Sequence, residues 1–419
     1  MVRYTGEFGV KSTQSQEYIE DLIHNNIKRA LTASKGPDLL DRIRFLTRQG
    51  RLYIYFEKQQ HTDVNELIAI VGRTFGISSI SPCFRTSVRD NTAVVSVAAK
   101  LMVAHGIGPG NFKIAVRAIK NPKLDISSLK QDITGLCNKI HLNNGSKKGF
   151  SRPRFKKGPK WKMGPWGGEI EIKPEIEVYK DHAFICAERI KSPGGFPLGL
   201  ENQLVALVSG GLDSPTAAWL AMRRGTVPVF VVMDPDNDSK GSKANASAVR
   251  ETALENIKVL VEYTKGALNP PTVYVASYQS VLDAFIQHGS KKGITCLLCK
   301  RFMYRVAEQI CFLHDCQGIV TGEILGEQAS QTANNLRVLD SAVMMPVHRP
   351  LFGFDKDEVV ALAGRIGTMP IAAIESAPCK GVPKRPTICG EVSEVEKIEE
   401  KIDITKYLDQ CLSGIEKVS

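Results

Sequence analysis

The stretch LVSGGLDSP, Leu207–Pro215, decides how this 419-residue chain is read. It joins an apolar run, Leu204–Val208, that reads as a buried strand, to Pro215–Arg224, which reads as a helix. Gly210 and Gly211 let the backbone turn sharply and expose its N–H groups. Ser214 is the expected N-cap and Pro215 the expected first helical residue. A helix N-terminus offers free donors and a partial positive charge, which suits a phosphate. The Gly-Lys-Ser/Thr ending of a P-loop is missing. Asp213 is the unusual member, because a carboxylate beside phosphates repels them unless a cation intervenes. A Mg²⁺ bridging Asp213 and a pyrophosphate group would remove that conflict. The bland alternative is a capped turn that binds nothing.

Downstream the pattern continues as strand and helix in turn. Val227–Met233, Val273–Ala276 and Gly318–Thr321 read as strands, Ala246–Tyr263 and Phe302–Leu313 as helices. Gly225, after Arg223 and Arg224, is the expected helix stop. Such alternation predicts a parallel sheet with helices on both faces and ligands at the carboxyl ends of its strands. Upstream, the Gly- and Pro-rich KSPGGFPLG, Lys191–Gly199, marks a domain boundary. Before it lie two smaller α+β modules. The first has helical spacing over Gln16–Ala33, a strand at Arg51–Phe56 and a helix at Val64–Val71. The second has strand-like Ala93–Val97 and Phe112–Arg117, a helix near Ile126–Ile140, and strands at Glu169–Ile172 and Ala183–Glu188. Neither module carries a catalytic constellation, so both read as binding domains.

Composition excludes several classes. A hydrophobic fraction of 43% and a charged fraction of 24% describe a globular protein. No run approaches the roughly 18 apolar residues of a membrane span, and no signal peptide opens the chain, so a cytoplasmic protein with no membrane partner is expected. The net charge of +11 is concentrated: Asn143–Gly168 holds eight Lys or Arg, no acid, and Phe150, Phe155, Trp161 and Trp166 between them. Lys147, Lys148, Arg152, Arg154, Lys156, Lys157, Lys160 and Lys162 suit phosphates, and the aromatics suit unpaired bases. The other reading is a solubilising insertion.

SGGLDSP resembles the pyrophosphatase (PP) loop of enzymes that split ATP into AMP and pyrophosphate. With YTGEFGVKS near the start, GGFPLG before the loop, TGEILGEQASQT (Thr321–Thr332) and RPLFGFDKDEVVALAGRIGT (Arg349–Thr368), the chain is similar along almost its whole length to the tRNA 4-thiouridine synthetase, or tRNA sulfurtransferase, family. The resemblance implies a ferredoxin-like domain over 1–75 and a THUMP RNA-binding domain over 76–190, with 143–168 as an insertion. A doubly wound PP-loop domain over 191–395 and a C-terminal helical tail over 396–419 complete the expected α/β organisation. It implies adenylation of the uridine C4 oxygen by ATP, at position 8 of tRNA, then displacement of AMP by sulfur. Any role in thiamine biosynthesis is left open. By matching positions, Leu207, Val208, Ser209, Gly210, Gly211, Asp213, Ser214, Val232, Met233, Lys300, Gly322 and Gln331 would bind ATP, although arginine is usual where Lys300 stands. The alternatives are a 2-thiolating PP-loop enzyme and a non-catalytic RNA-binding protein. A homodimer is left open.

Relatives with a rhodanese domain deliver sulfur from it. Only about thirty residues follow Gly390 here, mostly one charged helical stretch, so another sulfur route is expected, from sulfide or a persulfide carrier. CLLC, Cys296–Cys299, places two thiols at ligand spacing, and Cys379 matches a catalytic cysteine of the family. Three readings stay open: a [4Fe–4S] cluster on Cys296, Cys299 and Cys379 with one open iron, a structural zinc that adds Cys389, and a redox pair or plain buried thiols. Cys83, Cys137, Cys186, Cys311, Cys316 and Cys411 lie in apolar or helical patterns and are expected as core residues.

Overall fold

Helix α1 (Thr13–Lys35) forms because Ile19, Ile23, Ile27 and Leu31 recur every fourth residue, and all four are buried. The computed structural model describes residues 1–48, 50–56, 64–89, 91–106, 114–119, 125–145, 169–235, 248–373 and 379–418. The chain folds into two compact units, each drawn from two stretches: Met1–Glu7 with Lys35–Gly194, and Phe8–Ser34 with Gly195–Ser419. All of α1 but its last residue belongs to the second unit.

The first unit holds an eight-stranded sheet of β1 (Val2–Tyr4), β2 (Ile43–Arg48), β3 (Arg51–Phe56), β4 (Ile77–Ile80), β5 (Phe84–Ser87), β6 (Ala115–Ile119), β7 (Ile170–Tyr179) and β8 (His182–Lys191). Its order is β2-β3-β1-β4-β8-β7-β6, with β5 also on β8. Only β6 and β7 run parallel. Its helices are α2 (Asp38–Asp41), α3 (Val64–Gly72), α4 (Asn91–Ala104) and α5 (Ile126–Gly145). Val94, Ala98 and Met102 of α4 and Leu129, Ile133 and Cys137 of α5 pack with Ile176, Val178, Ile185 and Ala187 of β7 and β8. The alternate residues Glu175, Glu177, Tyr179 and Phe184 lie on the opposite face, because strand side chains alternate.

One expectation fails in this unit. Ala93–Val97 is helical, not a strand: the buried set Val94, Ala98, Ala99, Leu101 and Met102 has helical spacing, and the apolar run continues past strand length. Cys83 and Cys186 lie in the core as expected and are in addition joined by a disulfide. The antiparallel register of β5 with β8 pairs Phe84 with Ile185, which sets Cys83 opposite Cys186 across 103 residues of chain.

The second unit is built on β9 (Leu204–Leu207), β10 (Pro228–Asp234), β11 (Val273–Ser277), β12 (Ile319–Val320), β13 (Val347–His348) and β14 (Glu416–Lys417), ordered β13-β12-β9-β10-β11-β14. The first five are parallel and β14 is antiparallel. Its helices are α6 (Asp213–Met222), α7 (Ala248–Thr264), α8 (Gln279–Gly289), α9 (Thr295–His314), α10 (Ala333–Asp340), α11 (Lys356–Ile366), α12 (Met369–Ala372), α13 (Val392–Lys401) and α14 (Ile404–Ser413). Every residue of β10 is buried, as a strand covered on both faces requires. Val205, Val229 and Val231 pack with Phe285 of α8 and Leu297, Phe302 and Val306 of α9. The alternate residues Ala206, Phe230 and Val232 are buried too, and α6 and α7 pack on β9 and β10.

The C-terminal residues are not one charged helical stretch. Val395, Ile398 and Cys411 of α13 and α14 enter the same core, and β14 extends the sheet beside β11. Glu399 of α13 is buried and bonded by Arg301 at 2.9 Å and by Arg305 at 2.7 and 2.8 Å, which ties α13 to α9. Burial alone would push its carboxyl up, but Arg301 and Arg305 hold it below the usual carboxylate range.

Candidate active site

The phosphate loop leaves the carboxyl end of β9, where Val208 N–H donates to Val231 O at 2.9 Å. Helix α6 begins at Asp213, earlier than expected, with Leu212 at the N-cap and no side-chain cap. Ser214 is therefore not the N-cap and Pro215 not the first helical residue. The Ser214 hydroxyl turns back instead, accepting from Ser209 N–H at 2.8 Å and bonding Ser209 Oγ at 2.8 Å. That bond closes the loop on itself and leaves the N–H groups at the start of α6 uncapped by side chains. Asn256 of α7 braces it from behind, donating from Nδ2 to Ser209 O at 3.1 Å and Gly211 O at 3.4 Å. A Cβ at Gly210 would overlap Thr252 Oγ1, so the close approach of α7 requires glycine there. Neither Asn256 nor Thr252 carries a sequence signal that links it to the loop.

Two further segments converge on this loop. Gly322, just beyond β12, lies so close that a Cβ would stand 2.6 Å from Ser214 N. Lys356, the first residue of α11, donates from Nζ to Asp213 Oδ1 at 2.9 Å and pairs with Glu327 at 2.7 Å. Asp213 thus already has a cationic neighbour, a lysine missed in the sequence because 143 residues separate the pair. Lys300 of α9 donates to the buried Glu323 at 3.4 Å. Gln331 is buried and its side-chain Oε1 has no hydrogen-bond partner among the described residues, so it can accept from a ligand. Val232 and Met233 lie near the carboxyl end of β10, the strand beside β9. Leu207, Val208, Ser209–Ser214, Gly322 and Lys300 therefore belong to one end of one sheet.

Cys296 and Cys299 open α9, and Cys379 reaches them from a loop whose Gly381 abuts Cys379 Sγ and Thr295. Burial and then the nearby Cys379 push the Cys296 thiol up; burial, Cys296 and Cys379 do the same for Cys299. Three neighbouring thiols are a donor set that a cation would stabilise, and thiolates suit iron–sulfur clusters and zinc. Among the described residues, however, no three His, Cys, Asp or Glu side chains are arranged to hold a metal ion. The donors fit in kind, while their geometry is not closed. Cys389 is exposed, and its N–H donates to Thr387 Oγ1 at 3.3 Å. Cys137, Cys311, Cys316 and Cys411 are buried free thiols, as expected of core residues.

The eight predicted RNA-binding cations from Lys147 to Lys162 lie outside the described residues. The first unit has another basic surface. A pocket on the face of the eight-stranded sheet away from α4 and α5 is lined by Arg48, Arg51, Arg117, Tyr53, Tyr179 and Glu177. Arg48 stands 5.9 Å from the Tyr179 ring centroid, and Arg85 stands 5.4 Å from that of Tyr55. Glu177 is occupied by Arg51 at 3.3 Å and the Tyr53 hydroxyl at 3.0 Å.

Residues 199–404 match the family model described as thiamine biosynthesis protein (ThiI), and residues 1–81 match the ThiI ferredoxin-like domain. The chain is 31% identical to a "Probable tRNA sulfurtransferase" of Methanosarcina mazei over 99% of this chain and 93% of the relative. The chain belongs to the tRNA sulfurtransferase family. A second such relative, of Methanobrevibacter smithii, is 29% identical over 99% of this chain and 98% of its own length. Among solved structures, a 4-thiouridine synthetase in complex with RNA and bound ATP superposes with a TM-score of 0.74 at 24% identity, covering 100% of this chain and 98% of that one. That likeness establishes a common fold with this sulfurtransferase: a ferredoxin-like N-terminus and a PP-loop domain. No described helix is long and apolar enough to cross a membrane.

Proposed function

We propose that this sulfurtransferase adenylates the C4 oxygen of uridine in tRNA, at position 8, and replaces it with sulfur to give 4-thiouridine. The observation that carries the reading is the convergence of Asp213, Lys356, Gly322 and the uncapped start of α6 at the carboxyl end of β9. The uridine oxygen attacks the α-phosphate of ATP and pyrophosphate departs, with Ser209–Ser214 and Lys300 taking the phosphates. The fixed N–H groups and cations meet charge as it develops. Lys356 holds the Asp213 carboxylate beside the loop at 2.9 Å, where a Mg²⁺ accompanying the pyrophosphate would find it. Val232, Met233 and Gln331 take the nucleoside. A sulfur nucleophile then adds at C4 and AMP leaves, which balances the exchange of oxygen for sulfur.

Cys296, Cys299 and Cys379 are the sulfur-delivering end of the site, and they would hold a [4Fe–4S] cluster, or zinc as the structural alternative. When bound, a cluster with an open iron supplies a place for hydrosulfide. Sulfide or a persulfide carrier is the donor. The tRNA is held by the first unit, whose later part is the THUMP domain, through the Arg48–Arg51–Arg117 pocket and the segment 143–168. The cytoplasm, where tRNA is processed, is its place of work, and a role in thiamine biosynthesis rests on the family name alone.

The test separates activation from sulfur transfer. Cys379→Ala, assayed for AMP release and for thiolated nucleoside, should lose 4-thiouridine yet keep tRNA-dependent AMP formation. Equal loss of both would remove the division of labour. The anaerobic wild type should contain iron and acid-labile sulfide and lose both colour and activity in air. A colourless protein with one tight zinc, active in air, would establish the structural-metal alternative.

A further inference from the structure

Glu323 is 5% exposed at the carboxyl end of β12, where an unpaired carboxylate would be costly. Four side chains donate to it: Thr321 Oγ1 at 2.5 Å, Tyr304 Oη at 2.7 and 2.8 Å, Arg349 Nε at 3.1 Å and Lys300 Nζ at 3.4 Å. It follows directly on Gly322, which touches the Asp213–Ser214 backbone, so the carboxylate is fixed to the phosphate loop by one peptide. Arg349 is held a second time, by Asp340 at 2.5 and 3.2 Å. Lys300 differs from the other donors. Its side chain keeps 23% exposure, and among the described residues Glu323 is its one hydrogen-bond partner. An ammonium has three N–H donors, so two remain for a ligand oxygen.

We propose that Glu323 is a positioning residue for adenylation: it holds the Lys300 ammonium beside Gly322 so that its remaining donors meet the triphosphate oxygens. The proposal rests on the assignment of Lys300 to ATP made above. Thr321, Tyr304 and Arg349 keep the carboxylate stationary when Lys300 turns toward a phosphate, because three of its four donors stay in place. A lysine side chain has large rotamer freedom, and a fixed anchor removes much of it before ATP arrives.

A double-mutant cycle on the full chain tests this, with tRNA-dependent AMP release measured for wild type, Glu323→Gln, Lys300→Met and the double variant. Glu323→Gln should raise the KM for ATP roughly ten- to a hundredfold, the range of a bond to a charged group, with the KM for tRNA unchanged. The double variant should be no worse than Lys300→Met alone, since the two act as one unit. A structural role alone would lower the unfolding midpoint and kcat without moving the KM for ATP, and that outcome overturns the proposal. So do losses that multiply in the double variant. An unchanged KM for ATP in Lys300→Met overturns the nucleotide role of Lys300 and this proposal together, whereas multiplying losses beside a sensitive Lys300→Met remove only the role of Glu323. Should Glu323→Gln not fold, Tyr304→Phe takes its place in the cycle. It removes one donor, keeps the charge, and should raise the KM for ATP less, with no further rise on the Lys300→Met background; a rise that persists there overturns the proposal.

Discussion

In the eight-stranded sheet, Glu175 and Glu177 are buried within strand β7 and answered by Arg3, Arg189 and Arg51. In the six-stranded sheet, the five parallel strands stay apolar until their carboxyl ends, where Asp213, Glu323, Lys300 and Lys356 gather. The difference follows from what covers each sheet. A parallel sheet packed on both faces leaves polar chemistry only at its ends. A sheet with α4 and α5 on one face can set arginines and tyrosines on the other. On the proposed reading adenylation belongs to loops and RNA contact to a strand face, so each should be removable without the other.

The largest expected effect tests the loop side. Asp213→Ala should cut tRNA-dependent AMP release by about a hundred- to a thousandfold, the scale of a lost transition-state contact, with tRNA binding intact. Weakened tRNA binding in that variant would break the separation. Gly322→Ala comes next: its Cβ must displace Ser214, and a shift near an ångström should lower kcat/KM for ATP about a hundredfold. On the strand-face side, Arg48→Ala with Arg117→Ala should flatten the log–log salt dependence of tRNA binding by roughly 1.4–1.8, at 0.7–0.9 per phosphate. Deleting 143–168 should flatten it as well, and kcat at saturating tRNA should stay unchanged in both. A slope that does not move would assign the arginines to the fold and the segment to solubility. The smallest effect concerns pH. Glu323 and Glu399 are held below the ordinary value of 4.5, so the stability they give is complete above it and lost as pH falls below it. Thermal unfolding should therefore be flat in this respect from pH 7 to 5 and decline beneath 4.5, with a shallower decline in Glu399→Gln.

The parts legible in the sequence were those set by neighbours along the chain. SGGLDSP between a strand and a helix fixed the βα turn, and alternating apolar runs fixed β9 to β12. The misses share a cause, which is that their partners lie far away in sequence. Lys356 answers Asp213, Asn256 braces Ser209, and Cys83 finds Cys186 only through strand register. Ala93–Val97 was ambiguous for a different reason. A short valine-rich run fits either period, and only the burial of Ala98, Ala99, Leu101 and Met102 decides for helix. Ser214 was misplaced because its hydroxyl serves the loop behind it rather than the helix ahead.

Helix α1 is made early and finished late. Its Asn26 donates to Leu198 O at 3.0 Å, its Arg29 reaches Gly266 O at 3.1 Å, and Gly266 leaves no room for a Cβ against Asn26. At a synthesis rate of about 5–20 residues per second, those partners emerge on the order of ten seconds or more after the helix itself. Throughout that interval the bonds of Asn26 and Arg29 to Leu198 and Gly266 cannot form. A ribosome stalled near residue 195 would therefore display α1 without the bonds that dock it within its own unit, and such a chain is a natural client for a holding chaperone.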